Sequence, residues 1–444
     1  MKRVTAVLLS ILLLIASSVP AAASTDVAGD VNGDGKINVR DLGILIRHLN
    51  NYDVAADLSV SDFNGDGTVN LVDAAILQRY LNGWDVSLTP PESVLTPEER
   101  AYYQSIVDSE NAWLASTQLS NGALPMTPTT NGKVRMNPYF ADFAALSLLN
   151  QSELYADVVK RYIDWHFDHL NTAAEDPYGV AGTIFDYTYT VTDGVVTMEE
   201  WIVLTPTYDS VDSYAATFLM VLQKYAEKTG DTAFILANAE YVEQVISALM
   251  AMMDNGLTLG KPNSPVKMLM DNCEVYAGLQ AAAKLYDNVM VPAGMGSAVR
   301  TLLQRSADKV ASAIERDMWT GQYYETMLNQ NGTVYSPFSW AEYYPSATAQ
   351  LFPILHGVLG ADTERAQTLY AEFCQRYDWE HLNHPDAYVW SCNAYTAAVM
   401  GDYDRVGTFL TAYNGMVTAS RDFPLYNGDA AWACMTAYYM TQLP

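Results

Sequence analysis

From residue 97 onward the chain alternates two kinds of apolar pattern. In the first kind, apolar residues recur every three or four positions beside a charged face, as in TPEERAYYQSIVDSENAWLAS, SELYADVVKRYIDWHFDHL and SAVRTLLQRSADKVASAIERDMW. That spacing predicts amphipathic helices on an outer layer. The second kind is rich in small residues and apolar nearly all round: YFADFAALSLLN, DSYAATFLMVLQKY, CEVYAGLQAAAKLY, PSATAQLFPILHGVLG, WSCNAYTAAVM and DAAWACMTAYYM. Helices of that composition must be covered on every side. Six of each alternate in strict order along the sequence. Paired as antiparallel hairpins, they predict an all-α fold, an (α/α)6 barrel with the small-residue helices inside. A solenoid of helical pairs is the alternative, but its repeats would share one length, whereas these intervals vary from roughly forty to seventy residues.

One stretch departs from the helical period. GTIFDYTYTVTDGVVTMEEWIVL alternates apolar and polar residues around Asp193-Gly194, a two-residue turn signal, and predicts a β-hairpin inserted before the second inner helix. Upstream of the barrel, DVSLTPPESVLT carries adjacent prolines and little apolar period, so residues 85–96 are expected to be a linker.

Before that linker the chain repeats one pattern at an offset of thirty-two residues. The first copy, DVNGDGKINVRD, places Asp30, Asn32, Asp34, the Lys36 carbonyl, Asn38 and Asp41 at loop positions 1, 3, 5, 7, 9 and 12. The second, DFNGDGTVNLVD, places Asp62, Asn64, Asp66, the Thr68 carbonyl, Asn70 and Asp73 there. A calcium ion takes six to eight oxygens, and this is the spacing by which one loop supplies them, with Gly35 and Gly67 at the sharp turn. The last ligand is Asp, not the longer Glu of an EF-hand, so each loop must close more tightly. Ile37 and Val69 are apolar anchors, and a short amphipathic helix follows each loop.

This doubled half-EF-hand, over residues 26–84, resembles a type I dockerin, the module by which secreted plant-wall enzymes attach to cohesin domains of a cellulosome scaffold. The resemblance implies two Ca2+ ions and a cohesin contact through Val39, Arg40 and Arg47 in one half and Leu71, Val72 and Arg79 in the other. Ile46 and Gln78 replace the Lys usual before the helix Arg, so cohesin specificity stays open. The layout of residues 97–444 resembles the six-hairpin glycosidases in architecture, and no catalytic residue is carried over from them. No cofactor is expected in the barrel.

Charge and leader sequence narrow the setting. With 51 acidic and 24 basic side chains, the 444-residue chain has a formal charge of -27, which argues against nucleic acid or an anionic membrane as partner. Lys2 and Arg3, an apolar run to about Ala16 and small residues to Ser24 have the form of a signal peptide over residues 1–24, which implies a secreted protein. Of the four cysteines, Cys392 and Cys434 lie in similar helical contexts and could pair, but buried free thiols are the favoured reading.

In a barrel of this kind every inner helix starts at the same end, so the residues that open them meet at one mouth. Acids fall there repeatedly: Asp142, Asp209 and Asp212, Asp271 and Glu274, Glu342, Asp386 and Asp429. Hydrolysis of a glycosidic bond needs one protonated and one ionised carboxyl group. Asp209 and Asp212 are the candidates for the ionised role. Glu342, flanked by Trp340, Tyr343 and Tyr344, is the candidate acid, with Glu274 in reserve. Each of these acids also sits where a helix cap would, and capping alone would account for it. Trp201, Trp340, Trp390 and Trp432 are candidate sugar platforms, with core packing as their other explanation. Asp186, Tyr187 and Asp271 are further candidates for substrate contact. His166 and His169 are expected as a surface pair on an outer helix. His381 and His384, before the fifth inner helix, keep a polysaccharide lyase or a sugar epimerase open. The reading that follows is a glycoside hydrolase acting on a plant-wall polysaccharide, against a non-catalytic glycan-binding or scaffold component.

Overall fold

The computed structural model describes residues 27–65, 68–84, 86–89, 94–201, 208–422 and 424–443. The chain divides into two compact units, one running to Thr96 and one spanning Pro97–Gln442. The expected leader, residues 1–24, and residues 85 and 90–93 of the expected linker lie outside the described residues.

In the first unit, Asn38 and Asn70 stop the extended loop backbone and start helices α1 (Val39–Leu49) and α2 (Leu71–Leu81). Each Asn side chain accepts a backbone N–H of the new helix, while Asp41 or Asp73, three residues on, accepts the N–H of the Asn itself. That reciprocal cap satisfies donors the first helical turn leaves free. The two helices pack on each other over a small core of Val31, Leu45, Phe63, Ala74, Leu77 and Leu88, with Ile37 and Val69 against it.

The second unit opens with helix α3 (Pro97–Ser116), strand β1 (Lys133–Met136), and helices α4 (Pro138–Leu148) and α5 (Ser152–Asp168). Strands β2 (Tyr187–Thr192) and β3 (Val195–Trp201) precede α6 (Asp212–Thr229), α7 (Thr232–Ala237), α8 (Ala239–Ala251), α9 (Leu269–Leu285) and α10 (Ser297–Ala313). The chain ends with α11 (Phe352–Leu355), α12 (Glu364–Arg376), α13 (Cys392–Val399), α14 (Tyr403–Ala419) and α15 (Asn427–Thr441). The small-residue helices pack in sequence, α4 on α6, α6 on α9, α9 on α11, α11 on α13 and α13 on α15, and α15 returns to α4. The amphipathic helices lie outside them: α3 against α15 and α4, α5 against α4 and α6, α8 against α6, α10 against α9, α14 against α13 and α15.

Besides two further two-stranded sheets, the structure departs from the sequence expectation in three places. The fourth inner helix is broken into a wide turn at Tyr343–Ala347 and the four-residue α11. Pro345 and Pro353 explain this, since proline removes an N–H and clashes with the preceding turn. The hairpin is there, with Asp193 and Gly194 both at positive φ (52° and 77°) as a type I′ turn demands, but β1 pairs with β2 as a third strand. His166 is not on the surface. It is 1% exposed, its ring stacked 3.4 Å from that of Phe218, because α5 turns this face toward α6.

The closeness of the inner helices is greatest at Gly278 of α9, where an added Cβ would stand 2.6 Å from the backbone of Ala216 in α6. Gly278→Ala is therefore expected to destabilise the protein by about 1–3 kcal/mol, the usual cost of overpacking, and to lower the thermal midpoint. An unchanged midpoint would contradict this packing.

Candidate active site and candidate metal loops

The leading ends of the inner helices meet at one cavity of about 640 Å³. Asn137 before α4, Ser213 in α6, Asp271 and Glu274 in α9, Phe352 in α11, Cys392 in α13 and Asp429 in α15 all line it, and Arg135 and Asp186 come from the sheet side. Because the side chains at a helix start point back past its first turn, acids placed there are delivered to a common space.

Burial sets the charge of most of these acids. Glu274 is 2% exposed and accepts a 2.6 Å hydrogen bond from the Tyr139 hydroxyl. Its carboxyl is pushed up to about 7 by desolvation, which that hydrogen bond partly opposes. Asp271, one turn earlier on α9, is raised by burial and by the nearby charges of Asp212, Glu274 and Asp209. Asp186 accepts from Asn137 Nδ2 at 3.0 Å and from the Tyr214 hydroxyl at 2.9 Å, and burial takes it to about 7. Burial likewise brings Asp429 to about 7. Asp209 is the contrast: its side chain is 86% exposed at the lip, 4.0 Å from Lys261 Nζ.

The other expected site residues fall in various places. Trp390 and Trp432 line the cavity. Asp212 does not; it is fully buried behind the wall, accepting from Ser210 Oγ at 2.7 Å, Ser213 N at 2.8 Å and Thr258 Oγ1 at 2.6 Å. It ties the start of α6 to the strand Leu257–Thr258, which is a structural task. Glu342 is exposed and accepts from Ser346 Oγ, outside the cavity lining, because the broken fourth helix carries it away. Trp340 packs against Phe338 and Arg376, and Tyr187 against Trp165 and His169. The Trp201 side chain lies outside the described residues. His381 pairs with Asp378, and His384 stacks on Tyr343 at 4.7 Å; neither lines the cavity. Tyr139, Asn137, Tyr214, Arg135 and Lys261 were not singled out in the sequence. Only Asn137, before a proline at a helix start, carried a local signal.

The four cysteines are free thiols, so Cys392 and Cys434 are not paired.

In the first unit, Asp41 and Asp73 are both 0% exposed. Asp41 accepts from Asn32 N at 3.1 Å and Asn38 N at 2.8 Å; Asp73 accepts from Phe63 N and Asn70 N, each at 2.8 Å. No Lys or Arg pairs with either among the described residues. Neither carboxyl has a charged partner among these residues, and a cation held in the loop would supply one. The first loop fits one. Asp30 accepts from the backbone of Asp34 and Gly35, and Asn32 and Asp34 curl back on the loop, with Gly35 at φ 80°. In the second loop Asp62 accepts from Gly65 N, and Asp66 and Gly67 lie outside the described residues. Of the expected cohesin contacts, Val39, Leu71 and Val72 are 73%, 67% and 52% exposed. Arg40 is exposed, Arg47 lies over the Tyr52 ring and Arg79 over that of Trp84.

Residues 28–82 match the family model of the Dockerin type I domain. This stretch is a type I dockerin, a calcium-binding kind of module, and the domain beyond it has a glycosidase-like, mainly helical fold. That fold is similar to a glycosidase solved as a point variant, with TM-score 0.56 and 13% identity over 79% of this chain and 100% of that one. It is also similar to a glycosidase variant in complex with glucose, TM-score 0.53 and 12% identity over 79% and 100%. An α-amylase from Clostridium perfringens shares it at TM-score 0.50 and 9% identity over 77% and 98%. No curated protein matches the chain.

Burial of Glu274 has a consequence for stability. A carboxyl whose folded pKa is raised adds most stability below its unfolded pKa and loses it as pH rises through about 7. Glu274→Gln is thus expected to raise the thermal midpoint over wild type at pH 8 and to leave it nearly equal at pH 5. Equal midpoints at both pH values would contradict the burial.

Proposed function

We propose that this chain is a secreted, cellulosome-type glycoside hydrolase that acts on a plant-cell-wall polysaccharide from an (α/α)6 barrel, residues 97–444, joined through a linker to a dockerin. The observation that carries the reading is Glu274, a buried carboxyl bonded to Tyr139, sharing one cavity with the exposed Asp209. A general acid must hold its proton near neutral pH, which an apolar site favours, and its partner must be ionised. Glu274 would give its proton to the glycosidic oxygen as the C1–O bond breaks. Asp209 would supply the ionised carboxylate that activates water or attacks the anomeric carbon. Trp390 and Trp432 offer ring faces to the sugar. A lyase or epimerase using His381 or His384 has less support, since neither lines the cavity.

The test is release of reducing ends from a polysaccharide panel. Glu274→Gln and Asp209→Asn should each lower the rate by about 10²–10⁴-fold, the range for loss of a general acid or base; activity that survives both would overturn the assignment. Ultraviolet-absorbing unsaturated products would mean a lyase, and retention on glycan without product would mean a binding module. With Glu274 as acid, kcat should fall as pH rises through about 7. Tyr139→Phe should move that limb to higher pH, because the lost hydrogen bond stabilised the ionised form.

For the dockerin the proposal is two calcium ions, one held by Asp30, Asn32, Asp34, the Lys36 carbonyl, Asn38 and Asp41, the other by Asp62, Asn64, Asp66, the Thr68 carbonyl, Asn70 and Asp73. Bound calcium would neutralise the buried carboxylates and fix the loops; Val39, Arg40, Arg47, Leu71, Val72 and Arg79 would then meet a cohesin. Chelation, or Asp41→Ala with Asp73→Ala, should abolish capture of the full chain by cohesin, since metal affinity is folding free energy in so small a module. Capture retained in excess chelator would contradict the ion assignment.

A further inference from the structure

Arg135 and Lys261 are the two cations among the residues lining the cavity. The Arg135 guanidinium makes no hydrogen bond or ion pair with any described residue. In the same unit Arg300, Arg316, Arg365, Arg376, Arg405 and Arg421 all pair with carboxylates. Lys261 is 20% exposed at its side chain, and its ammonium makes no hydrogen bond; its nearest carboxylate oxygen is that of Asp209, at 4.0 Å. An ammonium so far withdrawn from water and left without an acceptor is costly unless something fills the space beside it.

Each of the two cations has a carboxyl of the cavity nearby. Arg135 stands near enough to Asp186 to favour its ionised form, and Asp209 near enough to oppose it. Lys261 stands by Asp209. The buried carboxyls of the cavity do not complete a negative wall below about pH 7, because burial holds Asp186, Glu274 and Asp429 at about 7. In a chain with 24 basic against 51 acidic side chains, two cations at the cavity, one without a partner among the described residues and one held only by a long 4.0 Å contact to Asp209, are a specific placement.

We propose that Arg135 and Lys261 bind the carboxylate of an acidic sugar, so that the substrate of this site contains a uronic acid residue. Arg135 presents the planar fork that matches a carboxylate, and Lys261 adds a point charge. This rests on the glycosidase reading for its site, but binding can be measured apart from turnover.

The test uses the full chain carrying Glu274→Gln, titrated calorimetrically with two probes, tri-galacturonic acid and xylotriose substituted with glucuronic acid. Each is compared with its carboxyl-reduced counterpart. At least one acidic probe should bind tenfold or more tightly than its reduced form, with affinity falling between 0.05 and about 0.5 M salt as screening increases. Arg135→Ala and Lys261→Ala should each bring that ratio toward one, and Arg135→Lys should restore part of it. Equal binding of acidic and reduced forms, no binding of any probe, or a ratio that survives loss of both cations would overturn the proposal. Hydrolysis of neutral polysaccharide by wild type without acidic preference would sink this inference alone. A preference seen in a protein where Glu274→Gln stays active would sink the donor assignment alone.

Discussion

Close approach of helix backbones in the inner ring is the constraint on which the rest depends. Helices can pack one on the next and return to the first only if their facing sides are small, and here Gly278 meets the Ala216 backbone with no room for a methyl group. Alanines at 0% exposure recur on these helices, among them Ala144, Ala282, Ala397 and Ala433. Larger side chains would push the helices apart and scatter their leading ends. With those ends together, side chains from six segments far apart in sequence line one cavity.

Once gathered, the acids differ because their surroundings differ. Desolvation is the largest cause of the raised carboxyls at Glu274, Asp186 and Asp429, and hydrogen bonds from Tyr139, Tyr214 and Asn137 oppose it only in part. Asp209 stands in water at the lip. Asp212, three residues on, takes the opposite course, saturated by Ser210, Ser213 and Thr258. One short segment thus supplies a solvent-facing carboxylate and a structural one.

Much of the helical order was legible because its signal is periodic and summed over many residues. The alternation of charged-face and small-residue helices, the Asp193-Gly194 turn and the doubled oxygen spacing each rest on local chemistry. What failed was what depends on distant partners. Strand β1 is four residues long and owes its existence to β2. Pro345 and Pro353 were visible, yet the apolar run around them outweighed their breaking effect, and Glu342 was placed at the mouth for that reason. Asp212 and Asp209 look alike in sequence; only Thr258, 46 positions away, tells them apart. Arg135 and Lys261 gave no sign at all, since a cation's place at a cavity is recognised only once its surroundings are known.

The account turns on Glu274 holding a proton at a pH where an ordinary carboxyl would not. Infrared difference spectra of wild type against Glu274→Gln across a pH titration observe that proton directly. The account predicts a protonated carboxyl band that belongs to Glu274 at pH 6 and disappears as pH passes about 7. A carboxylate already fully ionised at pH 6 would contradict it.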